Sequence, residues 1–317
     1  MKLLDFEAHF YTDYFTGNKE ISKAGGRAHG LMAVLSDFDG PRLQGMDENG
    51  ITAQALAVSS GLEVLPTELG VPLARRLNDT LYDVMNRHPG RFMGYAALPV
   101  NDVDASVKEL ERCVRELGFL GWSTFSNYVD TAPDDPKYLP IFQAAEELGV
   151  PVFIHPAFPT WDRFKGLGTQ IYGALGYTLD TILTVSRMIC SGLLDRCPGL
   201  QLMMGHLGEG LPLIMNRIDH KCAEDNMAGK APAVNKRHFE YYFRNNIILV
   251  CSGYYSIPGI LAAMEAVGPE RIVFGTDFPY EKLPDAAGLV RSLPLDRDRL
   301  EGFCFRNAEA LFPHIRL

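Results

Sequence analysis

Four groups of residues in this chain have the types and spacing to do chemistry: Glu7-Ala8-His9, His155, His206 and Asp277. Each stands where a short apolar run gives way to a loop. Glu7 and His9 are two positions apart in an extended run, so both side chains point to the same side and can hold one ion. His155 follows Val152-Phe153-Ile154, and Asp277 follows Val273-Phe274-Gly275-Thr276. An unpartnered imidazole or carboxylate at such a position is costly to bury, and a divalent cation would satisfy both. Singly, the Glu-x-His pair also fits two solvated side chains, and His155 fits a hydrogen-bonded core histidine. Jointly, two imidazoles and two carboxylates make a neutral shell for one divalent ion, and their mixed nitrogen and oxygen donors suit Zn2+ or Mn2+.

His206 lies in the glycine-flanked segment Met204-Gly205-His206-Leu207-Gly208-Glu209-Gly210. A carboxylate three residues on can hold an imidazole in one tautomer and tune its pKa, as a general acid or base requires. The plainer role for Glu209 is a favourable charge at a helix N-terminus.

These groups are spread over some 270 residues, so several separate elements must converge to bring them together. Eight runs have strand character: 2–7, 52–58, 92–98, 119–124, 151–155, 200–205, 247–252 and 271–276. They are continuously apolar rather than alternating, the mark of strands buried on both faces of a parallel sheet. Segments with apolar residues at helical spacing follow most of them, at 73–87, 105–117, 139–148, 177–194, 211–224 and 259–267. Strict alternation of eight strands with helices predicts an α/β fold, a (β/α)8 barrel in one domain over 1–317. A doubly wound open sheet competes, but no GxGxxG follows the first strand, and no organic cofactor is expected. In a barrel the active site lies at the carboxyl ends of the strands, where the four groups fall. The segment 10–50 is too long for a simple loop and is expected to cap the mouth, with 157–176 as a further wall.

A net charge of -9 and the lack of a Lys/Arg cluster argue against nucleic acid as a partner. Cys113, Cys190, Cys197, Cys222, Cys251 and Cys304 form no CxxC pair and read as reduced thiols. No run of about 18 uninterrupted apolar residues occurs, so no membrane span is expected, and a cytoplasmic location is.

The chain resembles the metal-dependent decarboxylase branch of the amidohydrolase superfamily, which includes aminocarboxymuconate-semialdehyde decarboxylase. It is most similar to the γ-resorcylate (hydroxybenzoate) decarboxylases, which share Glu in the first motif. The resemblance is carried by Phe6-Glu7-Ala8-His9-Phe10, Ala97-Leu98-Pro99, 109–121, Ile154-His155-Pro156, 191–195, 205–212 with Arg217-Ile218-Asp219-His220, and Gly275-Thr276-Asp277-Phe278-Pro279. It implies a mononuclear site in which Glu7, His9, His155 and Asp277 bind the metal, while His206 and Glu209 complete a proton-handling group with Asp277. The end of the fourth strand, Gly121 to Phe125, also lacks a lysine that could be carboxylated to bridge two metals.

The implied reaction is non-oxidative loss of CO2 from a small hydroxylated aromatic acid. The metal chelates the carboxylate and an ortho hydroxyl, and the ring carbon is protonated first. Asp277 is the donor the family suggests, but a metal-bound carboxylate is a weak acid source, which leaves the donor open between it and His206 with Glu209. Tyr11, Phe15, Trp122, Phe158, Tyr172, Phe278 and Tyr280 are candidate pocket walls. Of these, Trp122, Phe278 and Tyr280 join Arg217 as candidate substrate contacts, and Ser59-Ser60 and 251–255 are expected to set the choice of ring. Hydrolysis of a lactone, ester or amide by the same ligands is the alternative activity. A homodimer or homotetramer is implied by the resemblance.

Overall fold

A computed structural model of the chain describes residues 1–17, 30–58, 61–128, 131–161, 171–227 and 233–315. Eight parallel strands follow one another in sequence and in space: β1 (Leu4–His9), β2 (Ala53–Ala57), β3 (Phe92–Ala96), β4 (Gly121–Phe125), β5 (Val152–His155), β6 (Leu202–Met204), β7 (Ile247–Val250) and β8 (Ile272–Val273). Backbone hydrogen bonds carry the sheet from β8 back to β1: Phe6 N–H donates to Phe274 O at 3.0 Å, Asp277 N–H to Glu7 O at 2.8 Å and His9 N–H to Phe278 O at 2.7 Å. The result is the predicted (β/α)8 barrel, with helices between the strands.

Two apolar layers hold it together. Inside the barrel, Leu4, Phe6, Met93, Tyr95, Phe153, Met203, Ile248 and Val273 pack on one another, and Phe312 closes the lower end with its ring 5.4 Å from that of Phe6. Each of these large side chains, fully buried, contributes about 1.5–3 kcal/mol of transfer free energy. Outside, the opposite faces of the strands meet the helices in a larger cluster.

The expected helices are present with shifted ends. The first begins at Thr67 rather than near 73, carrying Pro72 inside it. Pro72 has no N–H to give the helix, which is why the pattern reads cleanly only after it. The predicted helix over 177–194 stops at Cys190, because Gly192 turns left-handed with φ of 72° before the short helix Leu193–Arg196.

In the segment 10–50 the described parts form short helices, Asp13–Thr16, Met32–Leu35 and Pro41–Glu48. The last of these belongs to the outer helix layer: Met46 is buried, and a Cβ on Gly45 would lie 3.2 Å from Leu283. Ser59 and Ser60 lie outside the described residues, as does the side chain of Tyr172.

One irregularity in β1 matters for the site. Asp5 pairs with Gln54 and Ala8 with Leu56, so β1 has one residue more than β2 over this stretch, a β-bulge. Simple alternation that puts Leu4 and Phe6 inside would turn Glu7 outward. The extra residue shifts the phase, sending Ala8 to the outer cluster and freeing Glu7 and His9 to face the mouth.

Candidate metal centre

Glu7 and His9 come from the end of β1, His155 from the end of β5, and Asp277 from the loop after β8. One ligand atom from each lies within 4.8 Å of every other. His9 Nε2 is 2.9 Å from Asp277 Oδ1 and 4.0 Å from Glu7 Oε1. His155 Nδ1 lies 2.8 Å from the Pro156 carbonyl, which accepts a hydrogen from it and leaves Nε2 with its lone pair free. The His9 and His155 rings meet edge to face at 4.8 Å between centroids.

The backbone is shaped to permit this. At the end of β6, a Cβ on Gly205 would sit 2.5 Å from Glu7 Oε2, so only glycine lets the carboxylate stand there. Residues 206–210 then form a left-handed turn, with φ of 49° at His206, 57° at Leu207 and 57° at Glu209. Each non-glycine residue in that region costs roughly 1 kcal/mol or more. Asp277 also has a positive φ, 62°, so all three candidate proton-handling side chains, His206, Glu209 and Asp277, are held on strained backbone. In that turn His206 Nδ1 stands 2.9 Å from Glu209 Oε1, within ion-pair range but off the line of a good hydrogen bond. Its other nitrogen, Nε2, lies 3.6 Å from Asp277 Oδ2.

Burial and charge act on these groups in different directions. Burial pushes the Glu7 carboxyl up to about 7, against the pull of His206 and His9. It pushes the His155 imidazole down to about 3, with the neighbouring His9 adding to the effect, so the ring is neutral. His206 moves the other way: burial opposes its charge, yet Glu209, Glu7 and Asp277 together hold it well above the usual histidine range. Asp277 is held well below the usual carboxylate range, because the neighbouring His206 and His9 imidazoles outweigh its burial.

Behind the cluster runs a buried polar network. Asp5 accepts from the N–H groups of Glu7 (3.1 Å) and Thr276 (2.9 Å), from Gln54 Nε2 (2.8 Å) and from Thr276 Oγ1 (2.6 Å). Arg42, wholly buried, donates to Gln54 Oε1 at 3.3 Å and to the His9 carbonyl at 2.8 Å, and its guanidinium lies 5.0 Å from the Phe278 ring. Two hydroxyls complete the site: Ser252 donates to Glu7 Oε2, and Thr178 donates to Glu209 Oε2 at 2.7 Å. Ser252 stands two residues beyond β7, in the segment 251–255 expected to touch the ring, whereas Thr178 on a helix carried no sequence signal.

The expected substrate contacts fare unevenly. Tyr280 is half-buried, with its ring 5.3 Å from that of His9. Phe278 borders the cluster, but one face of its ring is taken by Arg42. Trp122 is not a pocket wall: it is fully buried in the outer layer, its ring 5.2 Å from Phe142 of the helix Leu139–Leu148, because alternation along β4 turns its side chain outward. Tyr11 and Phe15 stack on each other in the same core. Phe158 is exposed and packs on Tyr177 at 5.1 Å. Arg217 is exposed on the helix Leu211–Met227 and has no ion pair among the described residues.

A closed eight-stranded barrel with a histidine and carboxylate cluster at its strand ends defines a class, and the chain belongs to the amidohydrolase family, which it matches over residues 5–314. Within that family it falls in the decarboxylase branch. It is 34% identical over 272 residues to the γ-resorcylate decarboxylase of Rhodococcus jostii, covering 81% of this chain and 82% of that one. The crystal structure of a 2,6-dihydroxybenzoate decarboxylase complexed with 2,6-dihydroxybenzoate matches with a TM-score of 0.89 and 31% identity over 98% of each chain. That of a dihydroxybenzoic acid decarboxylase from Polaromonas, with bound manganese and the inhibitor 2-nitroresorcinol, matches with a TM-score of 0.86 and 29% identity over 100% of this chain and 98% of that one.

Proposed function

We propose that this protein is a carboxy-lyase that removes CO2, without oxidation, from a small hydroxylated aromatic acid, using one divalent metal ion held by Glu7, His9, His155 and Asp277. The observation that carries this reading is the fit of the donor set. Glu7 Oε1 is buried with no hydrogen-bond partner, beside His9 Nε2, a neutral His155 and an ionised Asp277. Buried polar atoms are left unpaired at a cost of about 1–3 kcal/mol each, and an ion among them removes much of that cost. When bound, the ion, Mn2+ or Zn2+, supplies positive charge for a carboxylate and an adjacent hydroxyl to chelate.

The remaining chemistry belongs to the chain. Direct loss of CO2 from an aryl carboxylate would leave an sp2 carbanion with no electron sink. A proton placed first on the carboxylate-bearing carbon lets the ring hydroxyl stabilise the resulting dienone, and the electron pair of the broken carbon–carbon bond then restores the ring. His206, held protonated by Glu209, Glu7 and Asp277, stores that proton. Its Nε2 faces Asp277 Oδ2, and across this edge the proton is passed toward the ring. Glu209, fixed by Thr178, holds the imidazole from behind, and Tyr280 forms a wall for the ring.

Finer points belong to the same proposal. The chain is one barrel domain with an insertion after β1, of which Pro41–Glu48 packs in the outer helix layer. It acts as a homodimer or homotetramer: Ile171, Leu175, Leu179 and Leu183 expose an apolar row at every fourth residue, and Leu213 and Ile214 are exposed on the helix that bears Arg217. Arg217 meets substrate or partner across that contact. All six cysteines are unpaired, in keeping with the cytoplasm. Among the described residues no helix is long and apolar enough to cross a membrane.

The test is to incubate metal-loaded protein with ortho-hydroxylated benzoates in D2O, with a lactone panel as control. The expected result is CO2 release and a phenol with one deuterium where the carboxylate stood. Lactone hydrolysis without CO2 release would replace this reading with a hydrolase.

A further inference from the structure

His155 stands at the last register of its strand. The ladder from β5 to β6 ends where Ile154 pairs with Met204, one residue short of it, whereas Phe125 of β4 still pairs with His155 and the Ser126 N–H donates to the His155 carbonyl at 2.9 Å. At this level the strand is steered from the β4 side. His155 Nδ1 donates to the Pro156 carbonyl at 2.8 Å, and the same peptide unit carries the Ala157 N–H, which donates to Ser126 Oγ at 2.8 Å. A peptide unit is planar, so whatever fixes that N–H also fixes the carbonyl that holds the ring.

Ser126 is itself held by one carboxylate. Asp180, on the helix Tyr177–Cys190, accepts from the Ser126 hydroxyl and, at 2.8 Å, from Asn127 Nδ2, both on its Oδ2. With its proton given to Asp180, the Ser126 oxygen turns its lone pairs to the Ala157 N–H. Asn127 Nδ2 also donates to the Phe158 carbonyl at 3.1 Å, and Thr184 Oγ1 to the Ser126 carbonyl. Tyr177, Asp180 and Thr184 are spaced by three and four residues, so one face of the helix meets the chain beyond β4 and β5, where Tyr177 packs on Phe158. Asp180 is 4% exposed, and no cation pairs with it among the described residues. A carboxylate buried in this way is costly, and both of its donors lead to the backbone around His155.

We propose that Asp180 is a positioning residue for the metal centre: through Ser126 it fixes the peptide between Pro156 and Ala157, and through that peptide the tautomer and direction of the His155 ring. This rests on the reading of His155 as a ligand of the divalent ion. Partners that orient a ligating histidine contribute about 10- to 100-fold to metal affinity.

Metal affinity can be measured apart from turnover. The chain is stripped with a chelator and titrated with Mn2+, the free ion being read from its electron paramagnetic resonance signal. The forms compared are the native chain, His155→Ala, Asp180→Ala, Asp180→Asn, Ser126→Ala and the double variant Ser126→Ala with Asp180→Ala. Leu110→Ala, a deletion in the buried face of the helix Val103–Arg115, reports what lost stability alone does. The native chain is expected to bind one Mn2+, and His155→Ala to bind it far more weakly. Asp180→Ala should weaken binding about ten-fold or more. Asp180→Asn keeps an oxygen for Ser126 and Asn127, so it should stay within about three-fold of the native chain. Ser126→Ala should match Asp180→Ala, and the double variant should be no weaker than the weaker single one, because both cut the same path. Leu110→Ala should lower the melting temperature and leave the affinity where it was.

Four results overturn the positioning role: Mn2+ held as tightly by Asp180→Ala as by the native chain; a weakening no larger than that of Leu110→Ala; an Asp180→Asn as weak as Asp180→Ala; or single effects that add in the double variant. Where Asp180→Ala does not fold, Ser126→Ala decides, weakened binding supporting the role and native-like binding removing it. A native chain that binds no Mn2+, or a His155→Ala that binds it as the native chain does, removes the metal reading and the positioning role together. Tight native binding lost in His155→Ala but unmoved in Asp180→Ala removes the positioning role alone.

Discussion

His206 and Asp277 stand side by side and are pushed toward opposite charges, and the proposed proton store rests on that separation. Replacing His206 by Asn keeps hydrogen-bonding atoms but removes the titratable ring. The expected outcome is a loss of roughly 10²–10⁴ in kcat, with metal content by plasma mass spectrometry unchanged. Glu63 offers a second, thermodynamic check. Its pKa of about 8 in the fold lies above the ordinary 4.5, so its contribution to stability is full below about pH 4.5 and is lost as pH rises toward 8. Glu63→Gln, which cannot ionise, should therefore gain in Tm over the native chain between pH 5 and pH 8 by an amount worth up to a few kcal/mol. A gap that is constant with pH would show that Glu63 titrates normally. At this scale Glu7, His9, His155, His206, Glu209 and Asp277 were legible because charged or imidazole side chains at the ends of apolar runs are costly without a purpose. Ser252 lay in the segment 251–255 expected at the ring, but its bond to Glu7 was not foreseen, and Thr178 was not flagged, since a lone hydroxyl is common in any loop or helix and its partner lies far away in sequence. Trp122 was misread for want of the two-residue alternation that turns it outward.

Two departures from regular geometry place the chemistry: the extra residue in β1 and the left-handed turn at 206–210. Neither could be foreseen from apolar periodicity, which reports that a strand exists but not where its phase slips. The glycines of the turn were visible and their reason was not. Gly208 has φ of 70°, and a Cβ there would meet Leu249 Cδ2 at 2.9 Å. Gly208→Ala should cost about 1–3 kcal/mol in stability, read as a fall in denaturation midpoint. It should also lower kcat more than KM changes, because His206 and Glu209 ride on the same turn. Full activity in this variant would mean that the turn tolerates a side chain and does not set the His206–Glu209 geometry.

For the molecule as a whole, strand order, alternation and the carboxyl-end location of the site were legible, since strands buried on both faces read as unbroken apolar runs. That a second subunit would cover the exposed leucines is implied by the resemblance alone. If the row at Leu175, Leu179 and Leu183 is a subunit contact, the pair Leu179→Asp and Leu213→Asp should shift the mass by light scattering to about 35 kDa, that of one chain, with far-ultraviolet circular dichroism unchanged. An unaltered mass would place the contact elsewhere. The packing of Phe312 against Phe6 bears on traffic. With the floor of the cylinder stoppered by side chains among the described residues, incoming acid, outgoing phenol and escaping gas are left the doorway at the carboxyl ends of the strands. Each turnover must clear that vestibule before the next guest is admitted.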